Sequence, residues 1–240
     1  MSLLWEPGRF PAAGLVHRDL VAVDIAGFGD PTRDDLIRLH MRAGLYGILV
    51  QAFEESGIGW HDCTHEDRGD GALIVISPQV PTAALAGPLA DRIRAGLRRH
   101  NHLSCRAATI QLRMAIHSGY VQHDAHGVAG VAAVHLFRLL EAGQLKKALA
   151  TSGAELALIV SGYVYDSVIR HDPGLNGLAS YQPIEVEVKQ TRARAWVHVT
   201  DTPGTPGLQP ATAIRPITAA REAPAAASTP EAAAGRAQTA

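Results

Sequence analysis

The chain has 240 residues, 47% of them hydrophobic, and a formal net charge of −1. That length holds one domain of ordinary size plus an appendage, and roughly two thirds of its surface can be buried in a core. The near-neutral balance excludes the basic excess of a nucleic-acid or membrane-surface binder. No run approaches the ~20 apolar residues of a membrane-spanning helix.

The opening residues, Met1 to Pro7, lack the basic start and apolar run of a signal peptide. Two cysteines, Cys63 and Cys105, are too few for a disulfide framework and read as reduced thiols of a cytoplasmic protein. Lysine occurs only at Lys146, Lys147 and Lys189. With abundant Ala and Gly, the arginine bias suggests a GC-rich bacterial genome. Residues 1–16 read as an irregular lead-in and 17–202 as the folded domain. From 203 to 240 Pro, Ala and Thr dominate without apolar periodicity, so this stretch is expected to be a disordered tail.

The elements follow in chain order. Leu20–Ile25 is a short apolar run entering a Gly-rich turn, hence a buried strand. Thr32-Arg33-Asp34-Asp35 reads as a capping box. Behind it Leu36, Leu39, Ala43, Tyr46, Val50 and Phe53 recur at helical spacing, predicting a helix to about Glu55 that stops at Gly57. Trp60–Asp67 and Ala72–Ile76 flank Arg68-Gly69-Asp70-Gly71 and predict a β-hairpin.

A helix is expected over Pro81–His100, with Arg92, Arg94, Arg98 and Arg99 as a solvated face. A strand at Ile110–Ile116, a helix at Val131–Leu149, a strand at Leu156–Val160 and a short helix at Gly162–Arg170 come next. A hairpin of Val186–Lys189 and Ala195–Val199 closes the domain. Helices packed on one face of a mainly antiparallel sheet define an α+β, ferredoxin-like architecture.

Two acidic positions stand out. Asp24 ends the first strand just before Gly27 and Gly29, and Asp70 sits at the tip of the hairpin. Placed on adjacent strands, the two carboxylates would converge. With amides of the Gly-rich loop they would hold Mg²⁺ and a triphosphate. The alternative makes Asp24 a cap on the approach to the helix and Asp70 an ordinary turn residue.

Four short motifs resemble the successive signatures of class III adenylyl and guanylyl cyclases. They are Asp24-Ile25-Ala26-Gly27-Phe28, Arg68-Gly69-Asp70-Gly71, Arg113-Met114-Ala115-Ile116-His117-Ser118-Gly119 and Phe137-Arg138-Leu139-Leu140-Glu141. The resemblance spans roughly residues 17–200 and implies the class III cyclase fold. It implies two Mg²⁺ or Mn²⁺ ions on Asp24 and Asp70, bridging the phosphates of a purine nucleoside triphosphate. It further implies a phosphate cradle from the backbone of Ala26, Gly27, Phe28 and Gly29. Arg138 would stabilise charge at the α-phosphate while the ribose 3′-hydroxyl attacks it. Such a site forms between two subunits, so a homodimer is expected.

The chain also departs from that pattern. The Asn that orients the ribose, one helical turn before the arginine, is replaced by Val134; His135 lies about 100° round the helix and could substitute after a small rotation. Glu66 stands at a base-selecting position and hints at guanine. Its usual partner position is Gly127, which has no side chain to select with. Lys189 loosely matches a phosphate-contacting lysine. These departures set a second reading beside the cyclase: a catalytically degenerate domain that binds nucleotide or a partner and signals without turnover. His61, Cys63 and His65 read as ordinary strand residues and His123 to His126 as a polar turn. His117 reads as structural and Ser161-Gly162 as a helix cap.

Overall fold

A computed structural model of the chain describes residues 14–172, 174–175 and 181–199. The expected tail and most of the lead-in lie outside the described residues.

The first strand, β1 (Val16–Ile25), is an interior strand of a sheet with the order β2-β3-β1-β4-β6-β8-β7. Its neighbours are β3 (Gly71–Val75) and β4 (Leu112–Asp124), both antiparallel to it. β2 (Thr64–Asp67) forms one edge beside β3. On the other side β6 (Leu156–Ser161) runs parallel to β4, and β8 (Thr191–Val199) and β7 (Tyr181–Val188) complete the sheet as an antiparallel pair. A short strand, β5 (Gly127–Ala129), folds back on the end of β4.

Helices cover both faces of this sheet, not one. Val21, Val23 and Ile25 of β1 pack with Met114 of β4 under α1 (Asp35–Glu55) and α3 (Ala90–Leu103). Leu20 and Ala22 face the other way, under α4 (Val131–Leu140) and α5 (Gly143–Ser152). The reason lies in the strands. Leu-Val-Ala-Val in β1, Ala-Leu-Ile-Val in β3 and Leu-Ala-Leu-Ile-Val in β6 are apolar on both faces, and water on either side would expose half of each run.

Other boundaries move for local reasons. Asp34, not Thr32, caps α1: its carboxylate accepts the amide of Ile37 at 2.8 Å, while Thr32 turns to Asp30. The buried stripe of α1 is Met41, Leu45, Ile48, Leu49, Ala52 and Phe53. Leu36 and Leu39, expected inside, are 77% and 61% exposed. Apolar residues lie all round this helix, so periodicity alone selects the wrong face.

Trp60–Asp62 is a 3-10 turn, so His61, Cys63 and His65 do not share a strand face. The second helical stretch is composite: a short α2 (Thr82–Ala84), a π-helical turn over Leu85–Leu89 that holds Pro88, then α3. The stretch read as one helix over 131–149 is two, parted at Glu141-Ala142. Residues 162–170 form α6 (Gly162–Ser167), capped by Ser161, and a 3-10 turn (Ile169–His171).

Candidate functional site

The register of the central strands brings the two aspartates together. Asp24 lies opposite Gly71 on β3 and opposite Arg113 on β4. The carbonyl of Asp70 accepts the amide of Ile25 at 2.9 Å, so the hairpin turn is bonded directly to the end of β1. Gly71 permits that closeness: a Cβ there would stand 1.9 Å from the carbonyl oxygen of Val23.

Alternation along β1 turns Asp24 to the α4/α5 face. There Arg113 donates to both of its carboxylate oxygens, at 2.6 and 2.9 Å. Both side chains are largely buried, 18% and 14% exposed. Burial nevertheless raises the Asp24 pKa to about 6, outweighing Arg113, with the negative charge of Asp70 adding to the rise and Lys146 of α5 opposing it. The charge of Asp70 thus reaches Asp24, which also has two cationic side chains near it.

The glycine loop is anchored through its carbonyls. Arg33 donates to the oxygens of Ala26 and Gly27 at 3.3 and 2.8 Å, and Arg38 to that of Phe28 at 3.3 Å. The amide of Ala26 is bonded to the carbonyl of Gln111 and that of Phe28 to Ile25. Of the four expected cradle residues, Gly27 and Gly29 have amides with no acceptor among the described residues, so the loop offers two donors, not four.

The other expected residues are placed as follows. Glu66 lies on β2, where its carboxylate accepts the amide of Val128 at 2.6 Å and Arg68 at 2.5 Å. It sits against Gly127, where a Cβ would approach its Oε1 to 2.3 Å, and Gly127 adopts a φ of 124°. The two expected base-selecting positions therefore touch within one protomer. Arg138 projects from α4 and pairs with Glu141 at 3.1 Å, on the helix face that also shows Val134, 54% exposed. His135 turns inward onto His117, ring centroids 4.6 Å apart, and does not reach the place left by Val134. Lys189 is exposed in the β7–β8 turn. By strand register that turn lies about 25 Å along the sheet from the level of Asp24. The protomer does not bring it to the aspartates.

Arg113 and Lys146 were not assigned a role from the sequence. Arg113 stands inside one of the recognised motifs, and only the β1–β4 register reveals its partner. Lys146 is one of three lysines in the chain, a rarity that is the one available signal.

Among the described residues no group of three or more His, Cys, Asp or Glu side chains forms a ready metal cage. Two carboxylates still fit Mg²⁺, which dehydrates reluctantly and binds through one or two protein carboxylates plus substrate phosphates. The burial and the neighbouring charge of Asp70 that disfavour ionised Asp24 are what a divalent cation would offset.

This architecture is that of the catalytic domains of class III nucleotidyl cyclases. The chain is similar to an adenylate/guanylate cyclase/hydrolase from Silicibacter pomeroyi, with a TM-score of 0.56 over 79% of this chain and 100% of that one, at 18% identity. It is similar to the guanylyl cyclase Cya2 at 0.54, over 84% and 100%, at 13% identity. The catalytic core of a rhodopsin-guanylyl cyclase of converted specificity, in complex with ATPαS, superposes at 0.52 over 78% and 96%, at 16% identity. No family model and no curated protein matches the sequence. Among the described residues no helix is long and apolar enough to cross a membrane.

Proposed function

We propose that the domain binds a purine nucleoside triphosphate through divalent metal ions at Asp24 and Asp70 and converts it to a 3′,5′-cyclic nucleotide and pyrophosphate. The observation that carries this reading is the convergence of the two carboxylates, with Arg113 and Lys146 beside them, on a cyclase fold. Mg²⁺ or Mn²⁺, when bound, would neutralise the phosphates and polarise the reacting oxygens. Arg113, now spent on Asp24, is placed to exchange that carboxylate for phosphate oxygens, which a planar guanidinium grips equally well. Gly27 and Gly29 offer amides to the same phosphates.

Arg138 would meet the α-phosphate from a second copy of the chain, so the working unit of this reading is a homodimer with α4 of one copy facing the aspartates of the other. In such a pair Lys189 would also have to come from the second copy. A triphosphate substrate and two cysteines that form no disulfide favour a cytoplasmic setting. The base is left open: Glu66 favours guanine only if it leaves Val128 and Arg68.

A second reading has support of its own. Val134 removes the ribose-orienting amide and Glu66 is already bonded within the chain, as in a domain that binds nucleotide without turning it over. Mass spectrometry of products formed from each triphosphate with Mn²⁺ separates the two. The cyclase reading expects a cyclic purine nucleotide from the wild type. It expects turnover to rise about ten- to a thousand-fold in Val134→Asn, since a hydrogen bond made in the transition state is restored. Val134 is exposed, so the new amide is not buried. No product from either protein, with triphosphate binding retained, establishes the non-catalytic domain.

A further inference from the structure

The turn that presents Asp70 is held from outside the site by α1, through Tyr46 on Asp67 and above all through Arg42. Arg42 donates through one nitrogen to Asp67 Oδ1 at 3.1 Å and to the carbonyl of Gly69, and through the other to Asp67 Oδ2. Asp67 Oδ1 also accepts the amide of Gly69 at 2.6 Å. Arg42, Asp67 and Gly69 thus form a closed ring of bonds over the two residues before Asp70. On its far side the turn is bonded to Ile25 through the Asp70 carbonyl. The hairpin alternates: Glu66 faces β5 and Asp67 faces α1, so Asp67 is directed away from Asp24 and cannot itself be a ligand there. The charge of Asp70 is felt at both Arg42 and Asp24, so both side chains lie near that residue.

We propose that Arg42 is the positioning residue for Asp70, acting through Asp67 and the Gly69 carbonyl to keep that carboxylate within reach of Asp24. The inference rests on the metal-site reading above. Arginine suits the task because its rigid fork serves a carboxylate on two bonds and a carbonyl on a third; lysine offers a point charge without that geometry. The Arg42–Asp67 pair is partly exposed, 29% and 47%, so it adds little to global stability. Its consequence is local order at Gly69, in a turn whose other bonds are the backbone ones from Ile25 to Asp70 and from Arg68 to Gly71. Gly69 has a φ of 85° and no neighbouring atoms to confine a side chain there.

The test uses the full chain as wild type, Arg42→Ala, Arg42→Lys and Asp70→Ala. Binding of the adenosine and guanosine α,β-methylene triphosphates with Mn²⁺ is measured by calorimetry, alongside thermal unfolding and amide hydrogen exchange. Arg42→Ala should weaken Mn²⁺-dependent binding by about ten- to a hundred-fold, the loss usual for outer partners of metal ligands. Arg42→Lys should recover part of that loss. Exchange at residues 68–71 should quicken while the unfolding midpoint stays within a degree or two of wild type. If Arg42→Ala binds as tightly as wild type while Asp70→Ala does not bind, the role of Arg42 is overturned and the metal site stands. If Asp70→Ala also binds like wild type, the site reading fails and the role of Arg42 falls with it.

Discussion

At Asp24 burial and pairing pull in opposite directions. Arg113 donates twice to the carboxylate, yet desolvation and Asp70 leave its pKa near 6. His117 shows the same contest for a base. It lies between β4 and α4, with His135 on one side, His17 beyond, and the Ser161 hydroxyl 2.9 Å from Nδ1. Burial first, then the two neighbouring histidines, depress its pKa from 6.5 to about 4. The unfolded chain therefore takes up a proton that the folded chain refuses. The contribution is intact above pH 6.5 and is lost as pH falls toward 4. Allowing for partial exposure of the ring, the loss should be about 1–3 kcal/mol. Urea midpoints at pH 7.5 and 5 should diverge in the wild type and less so in His117→Gln; parallel profiles would show that His117 does not titrate this way. At this scale the sequence singles out Asp24, Asp70 and Arg138 as candidates because each sits in a short motif. It conceals Arg113's partner, the inward turn of His135 and the hold of Arg42 on Asp67, because those depend on strand register or on contacts across 18 and more residues.

The sheet is legible in the strands, since runs such as Leu156–Val160 are too apolar to lie anywhere but inside. The faces of α1 are not. Leu36 and Leu45 are the same residue type on one helix, and the structure exposes the first by 77% and buries the second to 1%. Leu45→Ala should cost about 2–5 kcal/mol, while Leu36→Ala should stay within about 0.5 kcal/mol of wild type. Chemical denaturation of both variants checks this, and equal losses would place the core face of α1 elsewhere. The 3-10 turn at Trp60–Asp62 and the break at Glu141-Ala142 escape a periodicity reading for a simpler reason. Apolar spacing continues across both, and only backbone hydrogen bonding separates the pieces.

In the whole molecule, the end of β1, the hairpin turn and the start of α1 form one end of the sheet, and the chain gathers its candidate chemistry there. Arg138 on α4 pairs with Glu141 of its own chain, and on the proposed reading a second copy would bring such an arginine to the aspartates. On the same reading the carboxylates would bind metal and triphosphate within one protomer, so binding is the property to measure before turnover. By ligand linkage, triphosphate with Mn²⁺ at a hundred times its Kd should add about 2.7 kcal/mol and raise the Tm by about 5–10 °C. The rise should vanish in EDTA and in Asp70→Ala, with the unliganded Tm of that variant close to wild type. An equal rise in EDTA, or in Asp70→Ala, would contradict a metal site at Asp24 and Asp70.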